Sequence, residues 1–240
     1  MRALVILPTY NEIENIEEIL VRTRATVPEA DVLVIDDHSP DGTADRAEKV
    51  GLELGRIDVL RRPAKSGLGS AYRAGFRIGL AKGYDAMVEM DSDFSHDPDA
   101  LPTLLAPIGD GADLVIGSRY VPRGAIPDWP FPRRAISRGG CLYARTLLGL
   151  SVHDATAGFR AYSAGLLDRI DFDEIRADGY GFQVEMTYVA EQLGGKVEEV
   201  PIEFRDRTLG KSKMSLRIVV EAFVLVTWWA VRDRVVRRRG

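Results

Sequence analysis

Asp91 and Asp93, one residue apart, are the side chains of this chain best suited to do chemistry. They close the run Val88-Glu89-Met90-Asp91-Ser92-Asp93, and the apolar stretch from Ala86 to Met90 predicts a buried strand. Strand residues i and i+2 share a face, so the two carboxylates are expected on one side. At the carboxyl end of a parallel strand they meet the crevice where open α/β sheets bind ligands. Two clustered acids repel unless a cation lies between them. A divalent ion carrying a diphosphate answers this, because hard cations take carboxylate and phosphate oxygens together. An Asp-x-Asp before a helix is also a common turn and cap, so the surrounding elements must discriminate.

Those elements alternate. Apolar runs predict strands over Ala3 to Leu7, Val32 to Ile35, Ile57 to Leu60, Ala86 to Met90 and Leu114 to Ile116. Asn11 with Glu14 has capping-box spacing and predicts a helix through Ile16, Ile19 and Leu20. Gly67-Leu68-Gly69 and Pro98 open two more helices. Strands separated by helices imply parallel pairing with right-handed crossovers. The second half is less regular. It holds a Pro/Gly/Arg-rich loop from Arg119 to Arg134, a helix from about Ile136 to Leu148 and an irregular loop from Val152 to Arg160. An amphipathic helix from Gln183 to Leu193 and a strand from Val197 to Phe204 follow. No composition break marks a linker, so one domain is expected: a nucleotide half over 1–118, an acceptor half over 119–213 and a helix with a basic tail over 214–240.

The loops at the strand ends suit a nucleotide. They are Pro8-Thr9-Tyr10-Asn11-Glu12, Asp36-Asp37, Asp91-Ser92-Asp93 and Gly117-Ser118-Arg119. An aromatic with acids at one mouth fits a nucleoside; acids at another fit metal and phosphate. A Walker A pattern and a G-x-G-x-x-G after the first strand are both absent, which argues against a P-loop NTPase and a Rossmann dehydrogenase. The lone Cys141 excludes an internal disulfide framework, fits a reducing compartment and reads as a small core hydrophobe. No secretory signal is visible at Met1 to Pro8. His38, His96 and His153 read as solvated loop residues, although His96 follows the acid pair closely.

The net charge of −4 conceals an asymmetry: Arg205 to Gly240 carries ten Lys/Arg and three Asp/Glu, against an acidic remainder. Ala222 to Val231 has no charge over ten residues, half of the roughly 20 a membrane span needs. Trp228 and Trp229 beside Arg232, Arg234 and Arg237 to Arg239 have the composition of an interfacial helix, the alternative being a helix packed on the body with a solvated end.

Together these segments resemble family 2 glycosyltransferases of the GT-A fold, and more narrowly the dolichol/polyprenol-phosphate mannose synthases. The matching residues, in order over about residues 2 to 215, are Pro8 to Glu12, Asp36 to Thr43, Lys65 to Gly69, Asp91 to His96, Gly117 to Tyr120, Ser137 to Gly139, Asp154 to Arg160 and Asp206 to Lys213. The resemblance implies an α/β, Rossmann-like fold with a mixed, mainly parallel central sheet and a C-terminal amphipathic helix. It implies that Pro8, Tyr10, Glu12, Ile35 and Asp37 hold the guanosine, and that Asp91, Ser92 and Asp93, with Arg207 and Lys213, hold the diphosphate. Asp91, Asp93 and Ser95 would bind Mg²⁺ or Mn²⁺; many relatives carry Gln where this chain has Ser95. Arg119, Arg133, Ser137 and Arg138 would meet the acceptor phosphate, with Asp93, Arg119 and Arg133 closest to the reaction.

The implied reaction is inverting transfer of mannose from GDP-mannose to a polyprenyl (dolichyl-type) monophosphate, giving a β-linked product. The acceptor's second ionisation lies near 6, so it arrives as a competent nucleophile without a strong base. The task is positioning and charge neutralisation, and the arginines between Arg119 and Arg138, interrupted by one acid, Asp128, supply the positive field. The alternatives keep the fold with another donor such as UDP-glucose, or make the chain a non-catalytic sugar-nucleotide-binding subunit. A nucleic-acid partner explains only the basic tail and is not expected. The expected location is cytoplasmic and peripheral on the inner face of the cell membrane, on an anionic surface, with a separate membrane-anchoring protein as a further partner. The loop Arg205 to Lys213 is expected to close over the donor.

Overall fold

The computed structural model describes residues 1–206 and 223–232. Its elements are β1 (Ala3–Thr9), α1 (Ile16–Thr26), β2 (Asp31–Asp36), α2 (Thr43–Leu54), β3 (Ile57–Arg61), α3 (Leu68–Ala81), β4 (Ala86–Glu89), α4 (Leu101–Gly109), β5 (Leu114–Ser118), α5 (Phe131–Leu148), β6 (Arg160–Ser163), α6 (Ala164–Leu167), α7 (Gly179–Gln192) and β7 (Val197–Pro201). A further helix, α8, covers 223–232. Arg207 and Lys213, most of the expected closing loop and the basic end from Asp233 onward lie outside the described residues.

The strands form one sheet in the order β3-β2-β1-β4-β6-β5-β7. Pairing is parallel except at β6, which runs antiparallel to β4 and to β5. The sheet is continuous across residue 118, since β6 and β7 from the second half pair with strands of the first. Alternation along β1 divides the core. Leu4 and Ile6 pack with Tyr72 and Phe76 of α3 and with Phe182 of α7. Val5 and Leu7 pack on the other face with Ile16, Ile19 and Leu20 of α1 and with Leu104 of α4.

Three predicted boundaries move for physical reasons. The expected capping box does not form: α1 starts at Ile16, Asn11 is in a left-handed turn (φ 57°), and the backbone carbonyl of Glu12 accepts the amides of Asn15 and Ile16. Helix α5 starts at Phe131 rather than about Ile136, because a proline in the first turn gives up a hydrogen bond that no first-turn amide makes. Strand β4 stops at Glu89, so the strand alternation expected to align Asp91 with Asp93 does not operate there. Gly67-Leu68-Gly69 opens α3 as read. A Cβ on Gly69 would stand 2.9 Å from both Asp178 Oδ1 and Phe182 Cδ2, so this glycine lets α3 meet the start of α7.

Candidate active site

The carboxyl ends of β1, β4 and β5 open onto one cleft of about 590 Å³. It lies beside the β1–β4 pair, where strand order reverses and open α/β sheets part to admit a ligand. From the loop after β1 come Pro8, Tyr10 and Glu12; the loop after β4 supplies Asp91, Ser92, Asp93, Ser95 and His96. Arg119 follows β5, Arg133 stands on α5, and Gln183 stands on α7. The residues expected to bind nucleotide, metal and acceptor therefore share one cleft, with exceptions. Ile35 buries its side chain in the core against α3, where its Cδ1 lies 3.1 Å from the position of a Cβ on Gly75. Asp37 sits behind the rim, 3.2 Å from Arg62 Nη1, and accepts the Ser66 amide at 3.2 Å. Ser137 and Arg138 do not line the cleft; Ser137 accepts the Tyr120 hydroxyl at 2.7 Å, and the Arg138 guanidinium stands 5.4 Å from that ring's centroid.

A tight turn, not a strand face, presents the two acids. Phe94 adopts a left-handed conformation (φ 61°), rare for a bulky residue. The turn folds the chain so that the Ser95 amide donates to Asp93 Oδ1 at 3.0 Å. Asp93 is buried, whereas the Asp91 side chain keeps 36% of its exposure. Ser92 donates its hydroxyl to the Pro8 carbonyl at 3.2 Å, tying the turn to β1.

His96 corrects the expectation of a solvated loop residue. It is 2% exposed, stacks on Phe159 with centroids 5.0 Å apart and meets the edge of Phe204 at 5.8 Å. Burial pushes its imidazole pKa down to about 4, so the ring is neutral near pH 7. Its Nδ1 accepts the Asp91 amide at 3.1 Å, which leaves the hydrogen on Nε2. The other two histidines stay exposed, with His153 bound to Glu199 at 2.8 Å.

Arg119 is anchored rather than loose. Its Nε and Nη2 reach the two oxygens of Asp154 at 2.7 Å each, and Nη2 also reaches Thr156 Oγ1 at 2.8 Å. Burial opposes the charge on Arg119, but Asp154 outweighs it and holds the guanidinium ionised. Burial likewise raises the Asp154 carboxyl, and Arg119 more than reverses that. Asp154 thus orients the Arg119 guanidinium. Trp129, Tyr120 and Phe204 surround the cation at 5.3 to 5.7 Å. Arg133 lies 3.9 Å from the Trp129 centroid, and Asp206 binds both Trp129 Nε1 and Arg133 Nη1 at 2.8 Å.

Sequence reading gave no role to Trp129, Phe204 or Glu89, and none to Gln183, although the family resemblance places the segment Gly179 to Glu185 near the sugar or the lipid phosphate. A tryptophan inside a loop of Pro, Gly and Arg was a usable signal. Glu89 was hidden inside an apolar strand: it is fully buried, burial pushes its carboxyl up to about 8, and Gln183 Nε2 donates to it at 2.8 Å.

The donor set fits a hard divalent ion. Among the described residues no three His, Cys, Asp or Glu side chains converge as a closed metal cage. Two carboxylates and the Ser95 hydroxyl on one cleft wall would instead offer an open set of oxygen donors, of the kind Mg²⁺ or Mn²⁺ completes with water and substrate phosphate oxygens.

A mixed sheet with an antiparallel β6 and an acid-lined cleft at its switch point is the arrangement of the GT-A fold. The glycosyl transferase family 2 model matches residues 4–171, and the chain belongs to that family. It is 55% identical to an undecaprenyl-phosphate mannosyltransferase of Micrococcus luteus over 234 residues, 98% of this chain and 96% of the relative. A polyprenol monophosphomannose synthase of Mycolicibacterium smegmatis is 47% identical, covering 100% of this chain and 91% of its own. Among solved structures, a mannosyltransferase of Pyrobaculum calidifontis in complex with GDP-Man and Mn²⁺ shares the fold at TM-score 0.65 and 18% identity, over 97% of this chain and 64% of that one.

Proposed function

We propose that the chain transfers mannose from GDP-mannose to a polyprenyl monophosphate with inversion at the anomeric carbon. The near-full-length likeness to mannosyltransferases named for polyprenyl acceptors carries this reading. Asp91 and Asp93, with Ser95, would hold Mg²⁺ or Mn²⁺. The ion, when bound, would neutralise charge on the diphosphate. Tyr10 and Glu12 would hold the nucleoside, Lys65 standing 4.1 Å from the Tyr10 centroid beside them. Arg133 and Arg119 would draw the acceptor phosphate toward the sugar against the repulsion of two anions. Arg119, gripped on one side by Asp154, would present a pre-oriented charge and little freedom to lose. A phosphate oxygen of the acceptor then bonds to the anomeric carbon while the bond to the GDP oxygen breaks, and GDP leaves with both electrons.

A lipid acceptor requires access to a membrane, and a peripheral mode suits this chain. No helix among the described residues is long and apolar enough to cross a bilayer. Helix α5 buries only Cys141 and Ala144 of its 18 residues and exposes Phe131, Ile136 and Leu142. Helix α8 meets it through Tyr143 and Phe223, centroids 4.7 Å apart, and exposes Val224, Trp228 and Val231. Arg134, Arg138 and Arg232 lie exposed among these apolar groups, the composition of an anionic-interface binder. The decisive experiment incubates the protein with polyprenyl phosphate, Mg²⁺ or Mn²⁺ and either GDP-mannose or UDP-glucose, and weighs the lipid. A hexose added from GDP-mannose is expected; no mass gain with any combination would sink the reading.

A further inference from the structure

The cleft carries a hydrogen-bonding patch that the roles above leave unused. Gln183, 2% exposed, reaches it from α7. Its Nε2 donates to Glu89 Oε2 at 2.8 Å, which orients the carboxamide, and its Oε1 is buried with no hydrogen-bond partner. A buried carbonyl oxygen without a donor is uncommon, because desolvating it is costly. Beside it stands His96, whose hydrogen is fixed on Nε2 because Nδ1 accepts the Asp91 amide. Gly158 separates the two. Its backbone is not in the left-handed region, so conformation does not demand glycine there. A Cβ at this position would lie 3.4 Å from His96 Cε1 and 3.9 Å from Gln183 Nε2, filling the space between them.

We propose that Gln183 and His96, kept apart by Gly158, recognise hydroxyl groups of the donor hexose. The inference rests on the reading of the chain as a transferase of a nucleotide-linked hexose. The unpartnered carbonyl oxygen beside a ring Nε2–H suits hydroxyls, each of which donates and accepts. A diphosphate oxygen has no hydrogen to give Gln183 Oε1, so the patch suits the sugar and not the phosphates. The patch is also held rigidly. The buried Arg160 donates Nη1 to the Gln183 carbonyl at 2.8 Å and Nε to the Ala157 carbonyl at 2.6 Å, so both walls hang on one guanidinium. Gln183 would act by discriminating between hexoses, not by moving a proton, since a carboxamide is no base.

The test uses the full-length protein with Mg²⁺ and two variants, Gln183→Met and Gly158→Ala. Binding of GDP and of GDP-mannose is measured by calorimetry, and KM for GDP-mannose and for polyprenyl phosphate by lipid mass analysis. The expected result is a rise of about tenfold in KM for GDP-mannose, with GDP affinity and lipid KM unchanged. A GDP-deoxymannose that loses affinity for the wild type should lose none for Gln183→Met, because the missing hydroxyl and the missing acceptor are the same interaction. Equal losses for GDP and GDP-mannose, or no loss in either variant, would overturn the proposal. Should Gln183→Met fail to fold because Glu89 loses its donor, Gly158→Ala decides alone, since its methyl removes no hydrogen bond. A wild-type protein that transfers no mannose would instead overturn the underlying mannosyltransferase reading.

Discussion

Asp93 reaches the cleft through the Phe94 turn, and that geometry tells which substitution tests it cleanly. Asparagine keeps an oxygen to accept the Ser95 amide but removes the charge. Asp93→Asn is therefore expected to lower transfer by at least about a hundredfold, with thermal unfolding little changed; activity near wild type would remove Asp93 from the metal–diphosphate role. Cys141 offers a second check. Buried against Asp154 and Thr156, its thiol is pushed up to about 11, so little thiolate exists at pH 8. As the chain's single cysteine it should resist iodoacetamide in the native protein and react fully in denaturant, read by intact mass. Glu89 supplies a pH dependence. Its folded pKa of about 8 exceeds the ordinary 4.5. A raised carboxylate pKa stabilises below the unfolded value, and that contribution is lost as pH rises through the folded one. Glu89→Gln should therefore gain stability over wild type as pH climbs from about 5 to 9, by at most on the order of 4 kcal/mol, and metal-free melting curves across that range would measure it.

At the scale of elements, the parallel part of the sheet was legible because β1, β2, β4 and β5 are apolar on both faces, and such strands read as continuous hydrophobic runs. Strand β6 was not. It is four residues long and begins with Arg160, a charge at a position no pattern marks as interior. The structure makes that burial tenable by giving the guanidinium the carbonyls of Ala155, Ala157 and Gln183 and the Thr187 hydroxyl. The Arg119–Asp154 pair was half legible: both residues stood out, but the chain gives no sign that they meet across 35 residues. Because both are buried, the bond holds the loop before β6 against the end of β5. Asp154→Asn leaves a buried guanidinium facing a neutral amide, and the expected cost is roughly 3–5 kcal/mol. Chemical denaturation would read this as a lower midpoint; an unchanged midpoint would mean that the pair serves the cleft alone.

Across the whole molecule, exposed apolar side chains and exposed arginines share the same two helices, α5 and α8. Composition disclosed a basic C-terminal segment on an acidic body, but it attributed the interface to the tail alone. The exposed apolar residues of α5 could not be separated by periodicity from core residues, since Ile136 and Leu142 fall in the expected helix, where either side could face the core, and Phe131 falls in the loop expected before it. Their exposure emerges only when α5 is seen to bury two small residues. This helix also carries Arg133 at the cleft, so a membrane contact along α5 would bring the acceptor's phosphate to the site that uses it. Ile136→Ser with Leu142→Ser tests the arrangement, because neither side chain is in the core and the fold should stand. Each leucine or isoleucine withdrawn from an interface forfeits roughly 1.5–3 kcal/mol if fully buried there. Partial insertion of both should weaken binding to anionic vesicles by about tenfold. Sedimentation with phosphatidylglycerol vesicles would measure this, and KM for vesicle-borne polyprenyl phosphate should rise in parallel while GDP-mannose affinity stays constant. If sedimentation is unchanged and only loss of the segment from residue 222 onward releases the protein, α5 faces water and the tail carries the attachment by itself.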